Sequence, residues 1–266
     1  MIDVRHITLL VTLTGGLAAT LLATPFAQDP HYHQFADTRH LLGIPFCLDV
    51  LSNLGFALAG FCGLFTLRSI THLPTVMQRW LIVYCWSLLL VAAGSAYYHL
   101  APSNQTLVWD RLPMTFAFSL FFCLMVASHL TMTLAKTLLP WMMLAGAGSV
   151  TYWYHSEVTG TGDLRFYAAF QFLPMALSLL MLLLFPSRYL AKASLAVTLL
   201  LYGLAKLAEH GDAAIYAATG SLSGHTLKHL LAAAGAWTVI QAAQARYASA
   251  DRSPSRESGT ALQTTR

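Results

Sequence analysis

Five side chains stand at intervals that could assemble a metal-dependent hydrolytic site. In Gly94-Ser95-Ala96-Tyr97-Tyr98-His99 the i, i+4 interval puts Ser95 and His99 on one face of a helix. Ser223-Gly224-His225-Thr226-Leu227-Lys228-His229 repeats the interval with two imidazoles, His225 and His229. Between them, Trp109-Asp110-Arg111-Leu112-Pro113 carries a carboxylate. Three neutral imidazoles and one water make a tetrahedral Zn²⁺ site with an open position, and such an ion lowers the pKa of its water to about 7. Asp110 is the candidate to carry the proton. Ser95 is placed to hydrogen-bond the water or a developing oxyanion. Plainer readings exist for each residue. A single histidine near a helix end is more often a hydrogen-bonded interfacial group, and with eleven histidines some i, i+4 pair arises by chance. Asp110-Arg111 could be an ion pair at a helix N-terminus, where the dipole favours a carboxylate.

The elements that must position these groups follow from composition. The chain has 266 residues, 56% hydrophobic and 10% charged, with mean hydropathy +0.58. A soluble domain averages roughly 25% charged residues. A cytosolic enzyme, a disordered protein and a nucleic-acid binder are therefore excluded. At ~20 apolar residues per crossing, the chain has room for about eight helices. Eight apolar stretches run over Ile7–Ala23, Pro45–Leu67, Trp80–Leu100, Pro113–Leu134, Leu138–Tyr154, Phe166–Phe185, Tyr189–Leu207 and Leu222–Ala245. Pro45, Pro113 and Pro140 are expected near helix starts, where a missing N–H is harmless. Pro174 falls inside its stretch and should kink it. The predicted fold is an all-α integral membrane protein, a seven-helix core over residues 28–246. Residues 1–27 precede it as a further helix or a cleavable signal, ending at Pro25-Phe26-Ala27. The polar residues 247–266 read as a disordered tail. The four cysteines lie in apolar runs without Cys-x-x-Cys spacing and read as small buried hydrophobes.

Lys and Arg counted in alternate loops set the orientation. One side holds Arg5, Arg68, Arg79, Lys136, Arg188, Lys192, Arg246, Arg252, Arg256 and Arg266; the other holds Arg39, Arg111, Arg165, Lys206 and Lys228. This predicts a cytoplasmic C-terminus. Ser95, His99, Asp110, His225 and His229 then share the opposite, non-cytoplasmic side, so three imidazoles from two helices can converge. Ionisable groups at that depth are costly and mark a functional site by default. Lys206, Glu209 and Asp212 follow at intervals of three on the seventh stretch. They either pair on the helix surface, or Glu209 or Asp212 orients His225 or His229 through an imidazole N–H. His129, His155 and His210 read as bystanders. Asn104-Gln105-Thr106 matches a glycosylation sequon.

Ser-x-x-x-His on one helix, Asp opening the next and His-x-x-x-His on the last resemble the superfamily of alkaline ceramidases and progestin/adipoQ receptors. Leu51-Ser52-Asn53-Leu54 is similar to the Ser-Asn pair opening the first core helix of alkaline ceramidases. The resemblance spans about Phe46 to Ala245. It implies Zn²⁺ held by His99, His225 and His229, proton handling by Asp110, assistance from Ser95, and an apolar cavity opening to lipid. The implied reaction is hydrolysis of a ceramide-like or other N-acyl membrane lipid to a fatty acid and a long-chain amine. Alkaline ceramidases also carry an acid-rich, Ca²⁺-binding segment before the first core helix. Here Asp29, Asp37 and Asp49 are diluted by His31, His33, Arg39 and His40, too few carboxylates for the six to eight oxygens that Ca²⁺ takes. The calcium site is not carried over; Asp49 is kept as a neighbour supporting the metal site. A receptor with a structural metal and a bis-histidine haem protein are the competing functions; the short loops disfavour the first, and Ser95 and Asp110 have no part in the second.

Overall fold

The structure is a computed structural model and describes residues 3–251, with side chains as far as Arg246. Its elements are α1 (Val4–Leu22), α2 (Cys47–Ser52), α3 (Leu54–Thr66), α4 (Thr75–Leu100), α5 (Asn104–His129), α6 (Met132–Val158), α7 (Arg165–Leu184), α8 (Lys192–His210), α9 (Asp212–Thr219) and α10 (Gly224–Asp251). Among the described residues there is no strand beyond an isolated Leu41–Ile44 bridge. Each of the eight apolar stretches contains a helix. The second is broken at Asn53, whose buried side chain donates to the carbonyls of Asp49 and Val50 and so competes with the backbone. The short α9 falls in an interval expected to be a loop, and α10 runs to Asp251, into the segment expected to be the tail; residues 252–266 lie outside the described residues.

Among the described residues, five spans are long and apolar enough to cross a membrane: Val4–Leu22, Cys47–Ser69, Thr75–Leu100, Asn104–His129 and Arg165–Leu184. At 1.5 Å per residue, the 26 residues of α4 reach ~39 Å, more than a ~30 Å hydrocarbon core. The side chains are sorted as a lipid surround requires. Leu58, Phe65, Trp86, Trp141, Leu183 and Leu207 are exposed, whereas Ser87, Ser119, Ser149 and Ser178 are buried. Several of these hydroxyls are satisfied within their own helix, Ser87 donating to Tyr84 O at 2.7 Å and Ser119 to Thr115 O at 2.8 Å. Cys62 also faces outward, against the expectation for all four cysteines; Cys47, Cys85 and Cys123 are buried.

α5 occupies the centre, against α4, α6 and α7, and 72% of its apolar window is buried. α10 packs on α8 and α3, and α3 on α4. α1 is peripheral: it lies on α7, where Gly16 receives Leu173, and none of its residues is buried.

Pro113 and Pro140 lie inside α5 and α6, not at their starts. The first turn of α5 is polar, so hydropathy alone misses it; a capping box between Ser103 and Thr106 begins the helix at Asn104. Pro113 has no N–H to give to the Trp109 carbonyl four residues back. Gly94 of α4 fits against that carbonyl, and a Cβ there would collide with it. The α4 and α5 backbones thus meet tightly beside Ser95 and Asp110.

The turn between α6 and α7 is fastened by a local ion pair at the start of α7. Arg165 grips Asp163 with a fork, Nε to Oδ1 at 2.9 Å and Nη2 to Oδ2 at 2.8 Å, and also reaches the Ala23 carbonyl. The Arg165 side chain holds the Asp163 carboxyl below the usual carboxylate range. A depressed native pKa adds stability above the unfolded value of ~3.9 and loses it as pH falls through the native one.

Two measurements follow. Gly94→Ala should destabilise the detergent-solubilised protein by roughly 1–3 kcal/mol through overpacking. Gly148→Ala, which meets open space, should not lower the unfolding midpoint. In a thermal-unfolding series, wild-type stability should decline as pH drops below about 4, and Asp163→Asn should flatten that decline; parallel curves would show that the pair contributes nothing.

Candidate metal centre

His99 ends α4, and His225 and His229 open α10. The bundle brings all three to one point. Ring centroids are 4.8 Å apart for His99–His225 and 4.9 Å for both His99–His229 and His225–His229, nearly an equilateral triangle. One ligand nitrogen from each lies within 4.8 Å of the others. Nitrogens around a tetrahedral ion at 2.0–2.1 Å sit ~3.4 Å apart, so small ring rotations close the set. All three imidazoles are buried, and both ring nitrogens of His99 lack a hydrogen-bond partner. An unsatisfied buried imidazole is costly unless a ligand answers it. The group can therefore hold a metal ion.

The neighbours fix the imidazoles. Ser52 Oγ lies 2.8 Å from His229 Nδ1 and donates its single proton to the Asp49 carbonyl at 3.0 Å. It must then accept from Nδ1–H, which leaves the lone pair of His229 on Nε2, the tautomer a metal ligand needs. Asp49 works on the helix that carries the histidines. Its Oδ1 accepts from Ser223 Oγ at 3.2 Å and Thr226 Oγ1 at 2.5 Å, while Ser223 Oγ accepts from Thr226 N–H at 2.9 Å. Asp212 accepts the backbone N–H of His225 at 2.8 Å and that of Ala36 at 2.9 Å. Gly224 makes this junction possible, because a Cβ would strike Ala208 and Asp212.

The imidazole contact expected of Glu209 or Asp212 is not made. Asp212 opens α9 and reaches His225 only through its main chain. Glu209 is engaged by Lys206 and, at 3.1 Å, by Lys228, and Lys228 Nζ is the group 2.9 Å from His225 Nε2. Ligation through that nitrogen requires Lys228 to turn toward Glu209. Three contributors carried no metal-ligand signature in the sequence. Ser52 was visible only in the Leu51-Ser52-Asn53-Leu54 resemblance. Lys228 lies between the two histidines of the motif. Phe35, from the segment before α2, covers the cluster with its ring 4.7 Å from His99 and 4.5 Å from His225.

A cavity of about 320 Å³ adjoins the centre. Ser95, Asp110, Lys228 and His229 border its polar part, and Leu88, Val91, Phe118, Phe121, Met175 and Leu199 are among its apolar walls. Asp110 faces Lys228, Arg111 and Glu209, with Ser95 beside it. His129, His155 and His210 stand apart from the triad; His129 bonds the Met125 carbonyl at 3.0 Å. The sequon is folded into the structure: Asn104 Oδ1 meets His33 Nε2 at 3.0 Å, and Thr106 N–H donates to the Ser103 hydroxyl that caps α5. No family model, curated protein or solved structure matches the chain.

Ser52→Ala should weaken the affinity of purified protein for a divalent ion by ~10–100-fold, as loss of a partner that orients a ligand does elsewhere. Isothermal titration into chelator-stripped protein measures it, and an unchanged affinity would remove Ser52 from the site.

Proposed function

We propose that the chain is a zinc-dependent membrane amidase that cleaves the amide bond of an N-acyl lipid, ceramide-like in its broad class, to a fatty acid and a long-chain amine. The observation that carries this reading is the triangle of buried imidazoles, whose His229 borders a largely apolar cavity that Ser95 and Asp110 also line. The resemblance to alkaline ceramidases points the same way. On this reading α6, α8 and α10 cross the membrane as well, completing seven core helices, and the site faces the non-cytoplasmic side with the C-terminus in the cytoplasm.

Zn²⁺ suits three neutral imidazoles, and when bound it supplies a Lewis acid and activates water at neutral pH. The residues divide the remaining work. The apolar wall takes the acyl chain and excludes bulk water. Asp110 accepts the proton from the attacking water as its oxygen joins the acyl carbon, and returns it to the amide nitrogen as the C–N bond breaks. Ser95 donates to the carbonyl oxygen as charge develops there. Phe35 packs its ring against the imidazoles.

Purified protein should contain about one zinc per chain, and His225→Ala should lose both the zinc and hydrolysis. Asp110→Asn should retain zinc yet lose roughly 10²–10⁴-fold in turnover, followed by mass spectrometry of fatty acid release from a panel of N-acyl lipids. Absence of zinc with all three histidines intact would overturn the reading.

A further inference from the structure

The cavity contains a cation that the proposed hydrolysis leaves unused. Arg111 follows Asp110 on α5, borders the cavity, and is 4% exposed. Its Nη2 donates to Gln28 Oε1 at 2.6 Å, and its Nη1 has no hydrogen-bond partner. Aromatic rings enclose the guanidinium, with Cζ 4.1 Å from the Trp153 ring, 4.4 Å from Tyr167 and 5.5 Å from Tyr32. The ion pairs among the described residues all join other groups, so no carboxylate lies within 4.0 Å of it. Glu209 is already held between Lys206 and Lys228. Arginine cannot escape burial by losing its proton. Ring faces attract the cation but offset only part of its lost hydration. Arg111, Lys206 and Lys228 thus outnumber Asp110 and Glu209 around the cavity, before any metal ion adds its own charge.

A neutral lipid head leaves this imbalance standing. We propose that Arg111 is a specificity residue, and that the preferred substrates are N-acyl lipids bearing an oxyanion, carboxylate or phosphate, close to the amide. The acyl chain lies along the apolar wall, while the head reaches Arg111 beside Gln28 and Tyr32, which adjoin it in the cavity. The fork of a guanidinium matches either oxyanion. This assignment rests on the amidase reading and narrows its substrate class.

The test uses the zinc-loaded full chain in nanodiscs of zwitterionic phosphatidylcholine. The substrates are N-palmitoylglycine, phosphorylated N-palmitoylethanolamine and neutral N-palmitoylethanolamine, with palmitate release as the readout. Wild type should favour at least one oxyanion lipid over the neutral one by about tenfold or more in kcat/KM, chiefly through KM. The better of the two identifies the head. In Arg111→Gln the preference should collapse to about twofold or less, and Arg111→Lys should keep part of it. Equal use of charged and neutral lipids by wild type, or an undiminished preference in Arg111→Gln, would overturn the assignment. Hydrolysis of none of the three by wild type would defeat the amidase reading separately. Displacement of a fluorescent fatty acid by N-palmitoylglycine and by N-palmitoylethanolamine then decides the Arg111 assignment on the same ratio. Should Arg111→Gln fail to fold, Arg111→Lys carries the comparison, and an unaltered ratio in it overturns the assignment.

Discussion

Inside an apolar bundle a polar group has no water to fall back on, so another side chain or a ligand must answer it. Most buried hydroxyls here are answered cheaply by a carbonyl one turn earlier in the same helix. The imidazoles cannot be answered that way. His99 has two unmatched nitrogens, and it is surrounded by His225, His229 and Phe35. Everything near them reads as support for that arrangement. α2 supplies Asp49 and Ser52, α9 supplies Asp212, and the segment before α2 lays Phe35 across the rings. The break at Asn53 belongs to the same economy, because the Asp49 carbonyl serves both Ser52 and Asn53.

The all-helical fold and the meeting of the three histidines were legible in the sequence because both depend on period and burial. An apolar run of about twenty residues has few alternatives, and i, i+4 spacing fixes the face. The start of α5 was not legible from hydropathy, since its first turn is Asn104-Gln105-Thr106 and its signal is the Ser103 cap. The partners of Glu209 and Asp212 were also out of reach. Spacing along one helix puts Lys206 beside Glu209, and the structure agrees. Where a carboxylate meets a second helix depends on the turn between His210 and Asp212 and on the tight approach of Gly224. Neither leaves a periodic trace.

Proline, glycine and carbonyl chemistry sets how closely α4 approaches α5 beside the cavity. Pro113 frees the Trp109 carbonyl, and Gly94 lets α4 come up to it. Ser95 and Asp110 are each the next residue along, so this backbone contact brings their side chains together. The main chain there acts as the ruler of the polar pocket.

The triangle of imidazoles also orders the birth of the protein. His99 leaves the ribosome early and its partners arrive only with α10, the last described helix. Until then α4 carries a histidine with no one to meet, and Asp49 and Ser52 wait for Thr226, Ser223 and His229. Completion of the centre must therefore wait for α10. It joins α2 and α4 to α10 at a single point, much as a clasp gathers separate strands.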